Sequence, residues 1–156
     1  QDSSSAASDV YKRQGISGDT TSGVLARLHQ INRSKPSSIF LMIGTNDISF
    51  GVAEDKIVEN ILTIVDRIRT SSADTKLFIQ SILPRAPKYK GRVEAVNKKV
   101  RERVTSDVTY VNLYPHFLDE HGTAIDTRFS NDALHLNGEG YRVWKEIIEG
   151  LVVENG

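Results

Sequence analysis

The chain has 156 residues, of which 38% are hydrophobic and 26% charged, proportions typical of one globular domain rather than of a disordered protein. Twenty basic and twenty acidic side chains cancel, and no basic run is present, so the composition gives no sign of a nucleic-acid partner. Cysteine is absent, which excludes disulfides and a cysteine nucleophile, and no apolar stretch approaches the roughly 20 residues that a bilayer-spanning helix needs.

Residues 1–14 (QDSSSAASDVYKRQ) are polar and rich in serine, and the chain changes character at Gly15. The string resembles translated adaptor or assembly sequence, which is left out of fold reasoning. We therefore expect a non-native or disordered tail over 1–14 and an incomplete domain over 15–156. A genuine flexible arm is the alternative, and Asp9–Arg13 could still form an extended strand leading into Gly15.

From Gly15 onward, longer amphipathic segments alternate with short apolar runs. Apolar residues at helical spacing predict helices over 20–33, 53–70, 89–105 and 138–153. Apolar runs of strand length predict strands over 38–44, 76–83 and 108–113. Asp19 or Thr20 is expected to cap the first helix. In the last helix the residues expected to be buried are Tyr141, Trp144, Ile147, Ile148 and Leu151.

Strands separated by helices predict right-handed crossovers and a parallel sheet with helices on both faces, which is a three-layer α/β/α sandwich. The pattern gives three secure strands and one doubtful strand before Gly15. Such a sheet is thin, so we expect a first strand and helix to be missing. The sequence indicates no internal repeats and no second domain.

Three polar clusters fall near the carboxyl ends of strands, where open α/β sheets bind ligands. The first is Gly15-Ile16-Ser17-Gly18-Asp19-Thr20-Thr21. A glycine here allows close approach of a ligand, and its N–H can donate to a developing oxyanion, although ordinary turn chemistry explains the same residue.

The second cluster is Gly44-Thr45-Asn46-Asp47, directly after a predicted strand. The amide of Asn46 could serve as another oxyanion donor, worth about 3 kcal/mol of transition-state stabilisation. An Asx turn that closes the strand is the alternative.

The third cluster is Asp132-Ala133-Leu134-His135-Leu136-Asn137, before the last helix. A carboxylate three residues before an imidazole can accept its Nδ1–H, which leaves Nε2 free as a general base. A helix cap by Asp132 or Asn137 is the alternative. The remaining histidines, His29, His116 and His121, have no such setting and are expected at the surface or in packing.

Together these clusters resemble the SGNH hydrolase superfamily, also called GDSL-type lipases and esterases. ISGDTTSGVLARL is similar to its glycine block, IFLMIGTNDI to its asparagine block, and DALHLNGEGY to its final block. The resemblance implies a flavodoxin-like α/β/α fold, with Gly18 and Asn46 in the oxyanion hole and Asp132 and His135 as catalytic residues. It also implies a serine mechanism that needs no metal or organic cofactor.

The family's serine block is the departure from the pattern, because no G-D-S occurs in the chain. Gly18-Asp19-Thr20 belongs to the glycine block, and neither Ser17 nor the serines of the tail fit a nucleophile. In an intact parent, a serine would attack the ester carbonyl while His135 takes its proton. The chain as printed is expected to be inactive. Asp47 and Asn97 are expected to be structural.

The resemblance implies a small-molecule or carbohydrate ester as substrate. Because no long apolar lid is present, we expect a short acyl ester or an acetylated sugar. The loop Pro84–Arg92 could border the pocket, with Arg85 meeting the substrate, although a solvated basic loop explains it as well. A non-catalytic ligand-binding remnant of the same fold is the main alternative. A phosphate-binding flavodoxin-like domain is another, but it gives no role to Asp132 and His135.

Overall fold

The computed structural model describes residues 13–17, 19–33 and 35–155. The strands are, in chain order, β1 (Arg13–Ile16), β2 (Ser38–Leu41), β3 (Lys76–Gln80) and β4 (Thr109–Val111). The helices are α1 (Thr21–Ala26), α2 (Leu28–Asn32), α3 (Thr45–Ser49), α4 (Glu54–Ser71), α5 (Lys90–Arg103), α6 (Tyr114–Phe117) and α7 (Gly138–Asn155), with a 3-10 turn at Pro87–Tyr89.

The four strands of the described residues form one sheet in the order β1-β2-β3-β4, and every neighbouring pair is parallel. The predicted α/β class with a central parallel sheet is therefore confirmed. Strand β1 is the one that the sequence left doubtful. It takes in Arg13 and Gln14, two residues on the tail side of the predicted boundary at Gly15, while residues 1–12 lie outside the described part of the chain.

Each face of the sheet has its own hydrophobic core, because successive side chains of a strand point to opposite faces. Ile39 and Leu41 of β2 pack in the core that also holds the buried faces of α4 and α5. Phe40 of the same strand stacks on Phe78 of β3, with ring centroids 4.5 Å apart, in the core that faces α7. The alternation confirms the three-layer arrangement.

Strands β2 and β3 end earlier than the predicted 38–44 and 76–83, because the chain leaves the sheet within each apolar run. After β2, Gly44 adopts a φ of +114° and starts α3. After β3, the Asn97 side chain of α5 takes the place of a neighbouring strand. Its Oδ1 accepts from the Ile82 N–H at 2.8 Å, and its Nδ2 donates to the Ile82 carbonyl at 2.9 Å. Asn97 is structural, as predicted.

The helix predicted over 20–33 is divided at Arg27, whose φ of −109° and ψ of 11° leave the helical region. Thr20 rather than Asp19 caps α1, since the Thr20 Oγ1 accepts from the Gly23 N–H at 3.1 Å. The helices α3 and α6 escaped prediction because five and four residues are too short to show a helical period. No helix among the described residues has the length and apolar content to cross a membrane.

Helix α7 is less buried than its apolar pattern predicted. Of the five residues expected inside, Ile148 is buried, whereas Tyr141 is 60% exposed and the other three are partly buried. The prediction for Tyr141 is wrong because its face of α7 borders a cavity rather than the core. The helical spacing of apolar residues predicts which side of α7 faces inward, but it does not show whether that side packs against the core or lines a cavity.

The start of α7 is fixed by one cap and one close contact. Asn137 Oδ1 accepts from the Gly140 N–H at 2.9 Å, so the capping alternative holds for Asn137. Gly140 lies directly against the Phe129 carbonyl oxygen, leaving no room for a β-carbon. The contact holds the first turn of α7 close to residues 129–136.

Replacing Gly140 by alanine should therefore destabilise the fold by about 1–3 kcal/mol, because the new methyl would strike the Phe129 carbonyl and come within 2.9 Å of Leu136 Cδ2. Urea unfolding measures the change. Gly150→Ala on the same helix is the matched control: a β-carbon there meets nothing within 4 Å, so helix propensity should leave it neutral or up to about 1 kcal/mol more stable. Equal shifts in the two variants would contradict the contact as the cause.

Candidate active site

A cavity of about 920 Å³ opens at the carboxyl ends of the strands. Its wall includes Ser17 after β1, Asn46 on α3, Arg85 after β3 and His135 before α7. Three of these residues, Asn46, Arg85 and His135, are site residues predicted from the sequence. The fourth, Ser17, was set aside there. Gly18, the predicted oxyanion glycine, lies outside the described residues.

Asp132 and His135 form the pair that their spacing predicted. The Asp132 Oδ2 lies 2.8 Å from the His135 Nδ1, and the Oδ1 of the same carboxylate accepts from the backbone N–H groups of Leu134 at 2.9 Å and His135 at 2.7 Å. A carboxylate on Nδ1 favours the tautomer that carries its proton there and leaves Nε2 able to accept one. The capping alternative for Asp132 is part of the same geometry, since its Oδ1 closes the turn while Oδ2 holds the ring.

These donors also set the charge of the carboxylate. The hydrogen bond from the His135 side chain, together with the His135 and Leu134 backbone N–H groups, holds the pKa of Asp132 well below its usual range. Asp132 is therefore ionised throughout the near-neutral pH range in which a histidine can act as a base.

The turn requires an unusual backbone. Ala133 has a φ of +59°, in the left-handed region that costs a residue with a β-carbon about 1 kcal/mol. Ser130 stabilises the same turn, because its buried Oγ donates to the His135 carbonyl at 2.6 Å and lies 3.2 Å from Asp132 Oδ1. Sequence reasoning missed Ser130, and a serine two residues before an aspartate carries no distinctive signal.

Asn46 lies in the first turn of α3, with its side chain at the cavity. The Asx-turn alternative does not hold, because the Ile48 N–H donates to the Gly44 carbonyl at 3.1 Å. Gly44 lies close to the segment after β3, where a β-carbon would come within 2.8 Å of Ile82 Cδ1. Among the described residues the Asn46 side chain forms no hydrogen bond, so its amide is available to a ligand in the cavity.

Asp47 anchors the Asn46 segment to the start of α1. It is 1% exposed, and its carboxylate accepts from the Thr21 N–H at 2.8 Å and from the Thr21 Oγ1 at 2.7 Å. Asn60 of α4 donates to the same hydroxyl at 3.0 Å. The structural role predicted for Asp47 is confirmed.

Arg85 is 7% exposed, so the interpretation of this side chain as part of a solvated basic loop is wrong. Burial lowers the pKa of its guanidinium, while the nearby Tyr89 and Asp132 raise it. Its side-chain nitrogens all donate to other parts of the protein.

The cavity wall carries a second polar feature that the sequence did not indicate. Trp144 Nε1 donates to the buried Gln80 Oε1 at 2.7 Å, which ties α7 to the end of β3. Phe40, Met42 and Ile148 line the same region. The cavity wall therefore combines apolar side chains with the polar groups of Gln80, Asn46 and His135.

The remaining histidines take no part in this site. His29 and His116 are exposed, and His121 pairs with Glu120 at the surface, as the sequence predicted. No group of three or more histidine, aspartate or glutamate side chains in residues 13–17, 19–33 and 35–155 could hold a metal ion.

Replacing Asp47 by alanine should lower the free energy of unfolding by about 2–3 kcal/mol, because the Thr21 N–H and hydroxyl would lose a buried acceptor. Asp66→Ala, at an exposed position on α4, is the control and should change stability by no more than about 0.5 kcal/mol. Urea denaturation compares them. A loss as small as that of Asp66→Ala would mean that Asp47 does not anchor the segment.

The low pKa of Asp132 predicts a pH-dependent contribution to stability. A carboxyl whose pKa falls on folding stabilises the fold above its unfolded pKa, near 4, and loses that effect as the pH falls further. Asp132→Asn should therefore be less stable than the parent at pH 6.5, and the difference should shrink at pH 3. Urea unfolding at both values measures it, with Asp66→Asn as the charge control. A difference that does not change with pH would contradict the ionised pair.

Comparison with known proteins gives one consistent result. The model of the GDSL-like lipase/acylhydrolase family matches residues 3–143. Platelet-activating factor acetylhydrolase IB subunit alpha2 from Rattus norvegicus is 33% identical over an alignment of 134 residues, which covers 81% of this chain and 57% of the relative. The human protein of that name has the same identity and coverage. The chain thus spans a little over half the length of these curated relatives.

Solved structures share the fold at lower identity. A GDSL-like lipase from Bacteroides thetaiotaomicron superposes with a TM-score of 0.84 at 17% identity, covering 95% of this chain and 91% of that one. An acetyl xylan esterase superposes with a TM-score of 0.72 at 18% identity, covering 88% and 78%.

Proposed function

Because the chain belongs to the GDSL-like lipase/acylhydrolase family, we propose that its cavity is the acyl-transfer site of a serine-dependent ester hydrolase. The observation that carries the proposal is the contact of 2.8 Å between Asp132 Oδ2 and His135 Nδ1, on the same cavity wall as Asn46. An oriented imidazole and an available amide on one cavity wall are two of the groups that acyl transfer uses, as base and as oxyanion donor.

In this mechanism a serine hydroxyl attacks the ester carbonyl while His135 Nε2 accepts its proton. Asp132 holds the ring and stabilises the imidazolium that forms. The Asn46 amide, with the Gly18 N–H, donates to the tetrahedral oxyanion. His135 then returns the proton to the leaving alcohol, and a water activated by the same base releases the acid.

The nucleophile is the part that the 156 residues do not supply in the family's G-D-S form. Ser17 shares the cavity wall with His135, but no hydrogen bond joins the two among the described residues. We therefore expect the chain as printed to have negligible esterase activity, since His135 has no hydroxyl to activate.

The cavity favours a short acyl ester or an acetylated carbohydrate as substrate. Asn46 and His135 lie on its wall, where Phe40, Met42 and Ile148 also offer apolar surface to an acyl group. Tyr141 and Trp144 lie edge to face, 5.7 Å apart, beside the opening, and the exposed Tyr141 ring gives a sugar a face to stack on. Hydrolysis of acetyl, butyryl and octanoyl 4-nitrophenyl esters by an active form would rank these possibilities.

A non-catalytic ligand-binding domain is the second candidate, and the absence of G-D-S favours it for the chain as printed. Such a domain keeps the cavity and binds esters without turnover. A poorly hydrolysed amide analogue, 4-nitroacetanilide, tests binding in either case. Binding should shift the NMR signals of the Asn46 side chain and the His135 ring. Signals that stay unchanged at the highest soluble concentration of the analogue would contradict both the hydrolase and the ligand-binding domain.

The activity of the printed chain is tested with 4-nitrophenyl acetate and with a fluorophosphonate probe for activated serines. The parent, His135→Ala and Ser17→Ala should all be indistinguishable from buffer, because none presents a nucleophile to the base. Turnover or labelling lost in both variants would identify Ser17 as the nucleophile and contradict the expected inactivity. Loss in His135→Ala alone would place the nucleophile at another serine.

A further inference from the structure

We propose that Arg85 is a positioning residue, which sets the placement of Asn46 relative to the Asp132–His135 turn. The inference rests on the proposed function, since it takes Asn46 as an oxyanion donor and His135 as the base. Both groups must face one reacting carbonyl, and misplacement by about 1 Å can cost a hundredfold in rate.

Arg85 contacts both segments at once. Its Nη1 donates to the Thr45 carbonyl and to the Thr45 hydroxyl, each at 3.0 Å, and its Nη2 donates to the Ser49 hydroxyl at 2.9 Å. Its Nε donates to the Ala133 carbonyl at 3.3 Å. One planar guanidinium therefore contacts both ends of α3 and the middle of the Asp132–His135 turn, called the base turn below.

No other tie of this kind joins the two segments. Among the described residues, no hydrogen bond runs directly between residues 44–49 and residues 130–137. Ala133, whose φ of +59° lies in the left-handed region, is also the residue whose carbonyl accepts from Arg85. The strained backbone and the guanidinium thus form one feature, in which the contact with Arg85 holds the turn in its left-handed form.

Burial separates this role from substrate binding. Arg85 is 7% exposed, the Tyr89 ring covers its guanidinium at 4.5 Å, and its three side-chain nitrogens already donate to the protein. Its own carbonyl accepts from the Ile125 N–H at 3.1 Å, which fixes the backbone as well. A lysine would keep the charge but not the planar fork that reaches both segments.

The experiment uses the chain as printed and compares Arg85→Met and Arg85→Lys with the parent by NMR. Hydrogen exchange is followed at the Leu134 and His135 amides, which donate to Asp132, and at the Phe50 amide, which donates to the Asn46 carbonyl at 3.0 Å. The ¹⁵N shifts of the His135 ring report its tautomer, a property that general destabilisation does not change.

Arg92→Met is the matched control. Arg92 also holds α3, donating to the carbonyls of Ile48 and Val52, but it makes no hydrogen bond to residues 130–137. Its loss should speed exchange at Phe50 and leave the base turn unchanged.

In Arg85→Met we expect exchange at Leu134, His135 and Phe50 to be faster by about tenfold or more, with a mixed His135 tautomer, while exchange in the core of α4 stays as in the parent. Arg85→Lys should give a smaller change in the same direction, and it carries the test if Arg85→Met does not fold. A folded Arg85 variant with an unchanged base turn overturns the proposal. So does an equal effect of Arg92→Met on that turn. Neither readout needs turnover, so failure of the proposed ester hydrolysis in the activity assays is a separate result.

Discussion

Parallel pairing is the constraint on which the rest of this structure depends. Parallel strands cannot be joined by a tight hairpin, so each loop at the carboxyl edge of the sheet is connected to the next only through a long crossover. The loops that carry the candidate site residues are therefore close in space but far apart in the sequence. Side chains therefore join them: Asp47 reaches Thr21, Asn97 replaces a strand beside Ile82, and Arg85 spans Thr45 and Ala133.

These side-chain hydrogen bonds, called ties below, determine a different aspect of the structure from the one that the hydrophobic cores determine. The two cores set which helix lies on which face of the sheet, and many apolar side chains of the right size would serve. The ties fix individual atoms, because each joins one donor to one acceptor with little freedom. Where a tie is lost, the fold can persist while the relative placement of Asn46 and His135 loosens. Stability and the geometry of the proposed site are to that extent separate properties of the chain.

Sequence patterns predicted the parts of this structure that depend on local spacing. Helix α4 follows from its apolar stripe, β2 and β3 from their continuous apolar runs, and the Asp132–His135 pair from two residues three positions apart. Sequence patterns gave wrong predictions where the burial of a residue depends on a segment distant in the sequence. Tyr141 fits the apolar stripe of α7, yet it lines a cavity together with residues of β1 and β2, which are distant in the sequence. The burial of Arg85 depends on residues 40 and 48 positions away, a separation that no period reveals.

The hydrogen-bond donors around Asp132 determine which group of the Asp132–His135 pair can take up a proton. Its two oxygens accept from the His135 ring and from two backbone N–H groups, and those hydrogen bonds favour the charged form. Taking up a proton would break several of them at once. Asp132 therefore keeps its negative charge. In the proposed mechanism, a proton accepted at the His135 Nε2 stays on the imidazole until the same nitrogen donates it.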